Sequence, residues 1–201
     1  MIRLYYAPRT RAVRVRWLLE ELGLPYELVR VAFRVPSGGF FVQATPSGKV
    51  PVIQDDGVTI GESGAILEYI VDRYGEGRLA PPVDSAARGL YLQWLHFAEG
   101  TASIPLSTIL WHTLYKGDAD EFPTVVGDAR DRAHSTLMVV ERALAASDHL
   151  PGPDFSAADI QLHFTIAAAR VMGVLDDRYP NLQMYLSRLE SRPAFQRAVS
   201  D

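Results

Sequence analysis

Strand-forming residues crowd the first sixty positions of this chain and then almost disappear, and that switch limits the fold more than any other feature. Residues 2–6 (IRLYY) form a short β-rich run closed by Pro8. From Thr10 the period changes: Val15, Leu18, Leu19 and Leu22 recur at i, i+3, i+4 and i+7, which predicts an amphipathic helix ending at Gly23 before Pro25. Residues 26–33 (YELVRVAF) return to strand character, and the Gly/Pro/Ser-rich stretch 34–48 leaves room for at most one short helix. Two runs, 50–54 and 58–60, flank Asp55-Asp56-Gly57, a hairpin signal. A helix then opens at Ser63, with Ile66, Leu67, Ile70 and Tyr74 on one face.

A Pro/Gly-rich segment follows Gly75 and reads as a linker. Beyond it come helical periodicities at about 84–115, 124–147, 156–172 and 179–190, with a short one after Pro193. The expected architecture is an α/β thioredoxin-like domain over 1–78, a linker over 79–87, and an all-α helical bundle over 88–201. No internal repeat or low-complexity tract is visible.

Charge narrows the function. With 20 Lys+Arg against 24 Asp+Glu the chain carries a formal −4, so neither nucleic acid nor an anionic membrane is an expected partner. Residues 1–80 hold ten basic and nine acidic side chains, a net +1, whereas 81–201 hold ten and fifteen, a net −5. Cysteine is absent, which removes any cysteine nucleophile, thiol redox pair or zinc–thiolate site and fits a reducing compartment. The N-terminus lacks a signal-peptide core and no apolar run approaches a membrane span, so a cytoplasmic protein is expected. The five histidines (96, 112, 134, 149 and 163) have no short-range ligand spacing, and no metal site is expected.

Three stretches resemble the cytosolic glutathione S-transferases. WLLEELGLPYE (17–27) is similar to the end of that family's first helix and the start of its second strand. TPSGKVPVI (45–53) resembles its Asn-Pro-x-Gly-Lys-Val-Pro segment, with Thr45 where Asn is usual, and GESGAILEYI (61–70) its Glu/Gln-Ser element. FSAADI (155–160) is similar to the family's capping element within the bundle, where Ser156 and Asp159 would satisfy a helix start reciprocally and take no catalytic part.

The resemblance implies glutathione as co-substrate, with no other cofactor. It makes Pro51 a candidate cis proline, leaving the N–H and C=O of Val50 to pair with the cysteinyl unit like an added strand. A plain edge strand is the alternative. Ser63 is an N-cap candidate, and the same helix start suits the γ-glutamyl carboxylate. Glu62 would face the ligand's α-amino group. Lys49 would approach the glycyl end or the peptide carbonyls, unless it is simply a solvated lysine.

The thiol must be ionised, and relatives place Tyr, Ser or Cys near the first helix for this. Here the candidates are Thr10, Tyr6 and Tyr5; the two tyrosines point to opposite strand faces, so they cannot both serve. Thr10 could be only a helix cap, and either tyrosine an ordinary strand aromatic. Arg9, Arg11, Arg14 and Arg16 crowd the helix start, where cations are mildly unfavourable. Arg9 or Arg11 could add positive potential at the thiolate, and at least one or two of the four should be solvated. Trp94, Phe97, Ile104, Leu110, Trp111 and Tyr115 offer apolar surface for an electrophilic, hydrophobic second substrate, or else belong to the core. A homodimer is implied, with Phe40 or Phe41 either a wedge into the partner or a core residue.

The expected activity is conjugation of the glutathione thiolate to apolar electrophiles. A glutathione-dependent peroxidase or isomerase, or a non-catalytic binding module, remains the alternative. Arg9-Thr10-Arg11 does not match the Ser-Ser-Cys-type run usual in the isomerase branch.

Overall fold

Alternation along β1 (Ile2–Tyr6) turns Leu4 and Tyr6 to one face of the sheet and Tyr5 to the other. The computed structural model describes residues 1–32 and 47–200. β1 pairs in parallel with β2 (Tyr26–Arg30) and antiparallel with β3 (Val52–Asp55), which pairs antiparallel with β4 (Val58–Gly61). The sheet order is β2-β1-β3-β4. With α1 (Ala12–Leu22) and α2 (Ser63–Tyr74), this is the thioredoxin-like arrangement that the periodicities predict. The second strand, predicted over 26–33, ends at Arg30 with Val31 and Ala32 outside it, and Phe33, Phe40, Phe41 and Thr45 lie outside the described residues.

Local chemistry accounts for the turns. Gly23 closes α1 in the left-handed region at φ 67°, where a side chain would strain the backbone. The β3–β4 turn is two residues, Asp56 and Gly57, both at positive φ (47° and 80°), the type I′ geometry that Asp-Gly favours. Val15, Leu18, Leu19, Ile53, Ile66, Leu67 and Ile70 are fully enclosed with Leu4 and Tyr6. On the opposite face Tyr5 packs with Val29, Val31, Val50 and Val52.

The chain groups into two compact units, Met1–Ala80 with the chain from Glu190 onward, and Pro81–Leu189. The second unit is helical: α3 (Ala86–Phe97), α4 (Ser103–Leu110), α5 (Pro123–Leu144), α6 (Ala157–Val171) and α7 (Pro180–Glu190), which reaches one residue past it. The single predicted segment 84–115 is helical but twice widened to π geometry, at Ala98–Ala102 and Trp111–Lys116. The first widening sits just before Pro105, whose ring lacks an N–H and crowds the carbonyl four residues back. The capping box at α6 is present, with Ser156 accepting from the Ala158 N–H at 3.2 Å and Asp159 accepting from the Ser156 N–H at 2.8 Å.

α8 (Pro193–Val199), placed with the bundle by sequence, packs against α1 in the first unit. Phe195 meets Trp17 edge-on at 5.0 Å, and Arg192 and Arg197 pair with Glu21 and Glu20. Among the described residues no helix is long and apolar enough to cross a membrane.

Candidate functional site

Strand register brings three distant segments to one end of the sheet. Tyr5 lies opposite Val52, and Val52 opposite Gly61, so the last residues of β1, the first of β3 and the last of β4 are neighbours. The chain leaves that end through the turn 7–11, through Val50–Pro51, and through Glu62–Ser63.

In the first segment Thr10 is buried. Its hydroxyl donates to the Ala7 carbonyl at 2.7 Å and accepts from the Ala12 N–H at 3.2 Å. The threonine thus sits beside the start of α1, at the positive end of the helix dipole. Arg9, just before it, is held at φ 60°, a left-handed conformation unusual for a side-chain-bearing residue. Arg9 is exposed and Arg11 half-buried.

The tyrosines are directed elsewhere. The Tyr5 hydroxyl donates to Gln54 Oε1 at 2.8 Å, and Gln54 is the register partner of Arg3, so that phenol reaches back towards the other end of the sheet. Tyr6 is enclosed on the helix side, with the Arg16 guanidinium 5.3 Å from its ring centre. Of the three hydroxyl candidates, only Thr10 stands in a segment leaving the convergent end.

In the second segment the Val50–Pro51 bond is cis, Pro51 is buried and Val50 half-buried, just outside the β3 register. Lys49 is exposed. In the third, Glu62 is the cap residue of α2, exposed, at φ 67° and ψ 113°. That conformation costs on the order of 1–3 kcal/mol and is characteristic of sites whose surroundings over-determine the backbone. The cap residue Glu62 makes no side-chain capping bond, and Ser63 is the first helical residue rather than the cap. Ser63 accepts from Arg14 Nη1 at 3.0 Å, both residues being buried.

Arg14 is the residue that sequence reasoning did not single out. By spacing it lies one turn ahead of Leu18 on the buried stripe of α1, and that position was the available signal; its charge argued for the surface. Of the four arginines, Arg16 bridges outward, donating to Tyr26 at 3.3 Å and to the Ser200 carbonyl at 2.8 Å.

The apolar candidates of the helical unit divide. Trp94 is buried and meets Phe97 edge-on at 5.2 Å, whereas Ile104, Trp111 and Tyr115 are exposed, together with Leu114. Among the described residues no three His, Cys, Asp or Glu side chains gather closely enough to hold a metal ion. An open depression of about 340 Å³ lined by Arg3, Glu27, Gln54, Asp56 and Thr59 lies at the far, hairpin end of the sheet.

The family described as "Glutathione S-transferase, N-terminal domain" matches residues 1–72. The chain is similar to Glutathione S-transferase 3 of Schizosaccharomyces pombe, 30% identical over 207 residues, covering 96% of this chain and 85% of that protein. Its structure resembles a glutathione transferase family member from Pseudomonas fluorescens solved with two glutathione bound, at a TM-score of 0.85 and 29% identity over 98% of this chain and 92% of that one. It also resembles a sphingomonad glutathione S-transferase complexed with glutathione, at a TM-score of 0.85 and 29% identity over 98% and 96%.

Proposed function

The chain belongs to the glutathione S-transferase family, and on that premise we propose that it binds glutathione and transfers its thiolate to electrophilic, largely apolar small molecules. The observation that carries the site assignment is the convergence of Thr10, Val50–Pro51 and Ser63 at one end of the sheet. Each offers what one part of the tripeptide needs. The main chain of Val50 pairs with the cysteinyl unit as a strand would. The γ-glutamyl carboxylate lies at the N-terminus of α2, by the Ser63 hydroxyl and N–H. Glu62, exposed beside it, faces the α-amino group, and Lys49 the glycyl end.

The chemistry then requires a thiolate. A free thiol has a pKa near 8.5, and each unit of depression corresponds to about 1.4 kcal/mol. Thr10 supplies a hydroxyl hydrogen at the positive end of α1. That hydrogen now goes to Ala7; stabilising the sulfur means rotating it from a neutral carbonyl to an anion, a stronger acceptor. The thiol proton passes to solvent, the sulfur lone pair forms the new bond to the electrophile, and the leaving group departs with its bonding pair. Arg11, half-buried at the helix start, adds positive potential. The exposed Trp111, Leu114 and Tyr115 surface supports an apolar second substrate. The protein works as a cytoplasmic homodimer in detoxification, a reading supported by the missing cysteines and the opposite charge of its halves.

The test is calorimetric glutathione binding together with thiolate absorbance against pH. The wild type should bind with a thiol pKa below about 8.5, and Thr10→Ala should return it by roughly one unit while Tyr5→Phe and Tyr6→Phe leave it in place. A shift in a tyrosine variant alone would move the role away from Thr10. Binding without depression would make the protein a carrier, and no binding would remove the reading altogether.

A further inference from the structure

We propose that Arg14 is a positioning residue for the glutathione carboxylate, acting through the Ser63 hydroxyl. The inference rests on the glutathione reading above and adds to it a residue that touches no substrate. Arg14 and Ser63 stand 49 positions apart in sequence, on the first turn of α1 and the first of α2, and meet at 3.0 Å. Only 1% of Arg14 is exposed, whereas Arg9 is open to solvent and Arg11 and Arg16 are partly so.

A buried guanidinium carries a desolvation penalty of several kcal/mol, so its contacts must be good ones. Guanidinium nitrogens only donate, so Ser63 Oγ meets Arg14 strictly as an acceptor. That fixes one lone pair inward and makes the serine's own O–H a stronger donor, because hydrogen bonds in series polarise one another. A carboxylate, which only accepts, is the ligand group such a hydroxyl suits. The arrangement also places a fixed positive charge behind the N-terminus of α2, adding to the potential of its N–H groups. A peptide lacking the γ-glutamyl α-carboxylate gains nothing from either effect.

The experiment compares glutathione with 4-aminobutyryl-cysteinylglycine, which keeps the thiol and lacks that carboxylate, on wild type, Arg14→Met, Arg14→Lys and Ser63→Ala. Removing a charge-assisted bond should weaken glutathione on the order of 10- to 100-fold in Arg14→Met. The truncated peptide, weak on the wild type, should bind Arg14→Met no more weakly. With a dinitrohaloarene as electrophile, the loss should sit in the KM for glutathione more than in kcat. Arg14→Lys should restore part of the affinity, and Arg14→Met should add little to Ser63→Ala. Equal weakening of both peptides, or no weakening of either, would overturn the assignment. Should Arg14→Met not fold, the comparison is read on Arg14→Lys and from the Arg14 guanidinium resonance of the wild type, which must shift with glutathione and stay still with the truncated peptide. If the wild type binds neither peptide, the glutathione reading itself fails; if it binds glutathione and Arg14 proves indifferent, only this inference does.

Discussion

A hydroxyl has one hydrogen to give, and a histidine beside a fixed cation has little room for a second proton; single groups of this kind set much of the molecule's chemistry. His134 is such a case. Its Nδ1 lies 2.9 Å from the Tyr179 hydroxyl, and Arg178 Nη2 stands 3.1 Å from both ring nitrogens. Partial burial first, and the Arg178 charge second, lower its pKa from the usual 6.5; Arg130 acts in the same sense, while Asp176 and Asp131 oppose. Asp176, itself paired with Arg178, is held down at about 2 and so stays charged throughout the range in which histidine titrates. Because the folded state resists the proton and the unfolded state does not, stability from this site is present above about 6.5 and is lost as pH falls through the lowered value. Denaturant midpoints between about pH 7 and 5 should therefore fall less steeply in His134→Gln than in the wild type. The same scale shows what sequence could carry. A cis bond before Pro51, a threonine beside the start of α1 and a helix opening at Ser63 were legible because each belongs to a local motif with its own backbone requirement. Arg14 was not, because its partner is 49 positions away and its charge argued against the buried position that its spacing gives it. The directions of the Tyr5 and Tyr6 hydroxyls depend on Gln54 and Arg16 in space, which a strand alternation cannot supply.

Elements in this fold are held at their ends by side chains from other parts of the chain. The start of α6 was readable, since Ser156 and Asp159 stand at capping-box spacing, but Asp159 does more. One oxygen accepts from the Leu150 N–H at 2.8 Å and the Tyr185 hydroxyl at 2.7 Å, while the other takes the Ser156 N–H. It ties the loop before α6 and the middle of α7 to one helix start. Ser156→Ala, which gives up the cap and the hydroxyl's bond to the Leu150 carbonyl at 3.0 Å, should lose about 1–2 kcal/mol. Asp159→Ala, which strands two buried N–H groups and a buried phenol, should lose on the order of 3 kcal/mol or more in chemical denaturation. Equal losses would mean that the reach of Asp159 beyond its own helix contributes nothing. At the N-terminus of α7, Glu141, from α5, accepts from the N–H groups of Asn181 and Leu182 at 3.0 and 2.9 Å. That is a cap supplied across 40 residues, and no spacing rule within α7 reveals it. Likewise 84–115 reads as one helix because π widening changes the hydrogen bonding without changing the apolar pattern enough to see.

At the scale of the whole chain, the first unit includes residues from beyond the helical unit. Sequence divides the protein into an N-terminal and a C-terminal half, and by periodicity alone α8 belongs with the helices before it. Its apolar residues, Ala194, Phe195 and Ala198, are buried with the first unit instead. Phe195 covers Trp17, whose exposure in the structure is nil, and the ion pairs Glu21–Arg192 and Glu20–Arg197 fix the same stretch of α1. The exposed pair at Arg197 adds little by itself; the buried aromatic contact carries the attachment. α1 is also the element that follows Thr10 and carries Arg14 on its first turn, so its placement bears on the proposed site at both points. A chain ended after Ser191 should lose on the order of 3–5 kcal/mol from the first unit, the range for removing a large buried aromatic. Its Trp17 fluorescence should shift to the red as the indole meets water, and glutathione affinity should fall with it. Phe195→Ala in the 201-residue chain separates the aromatic contact from chain length, and should reproduce most of the loss. If the shortened chain kept both its stability and its glutathione affinity, α8 would be an ornament on α1, and the first unit would stand on residues 1–80 alone.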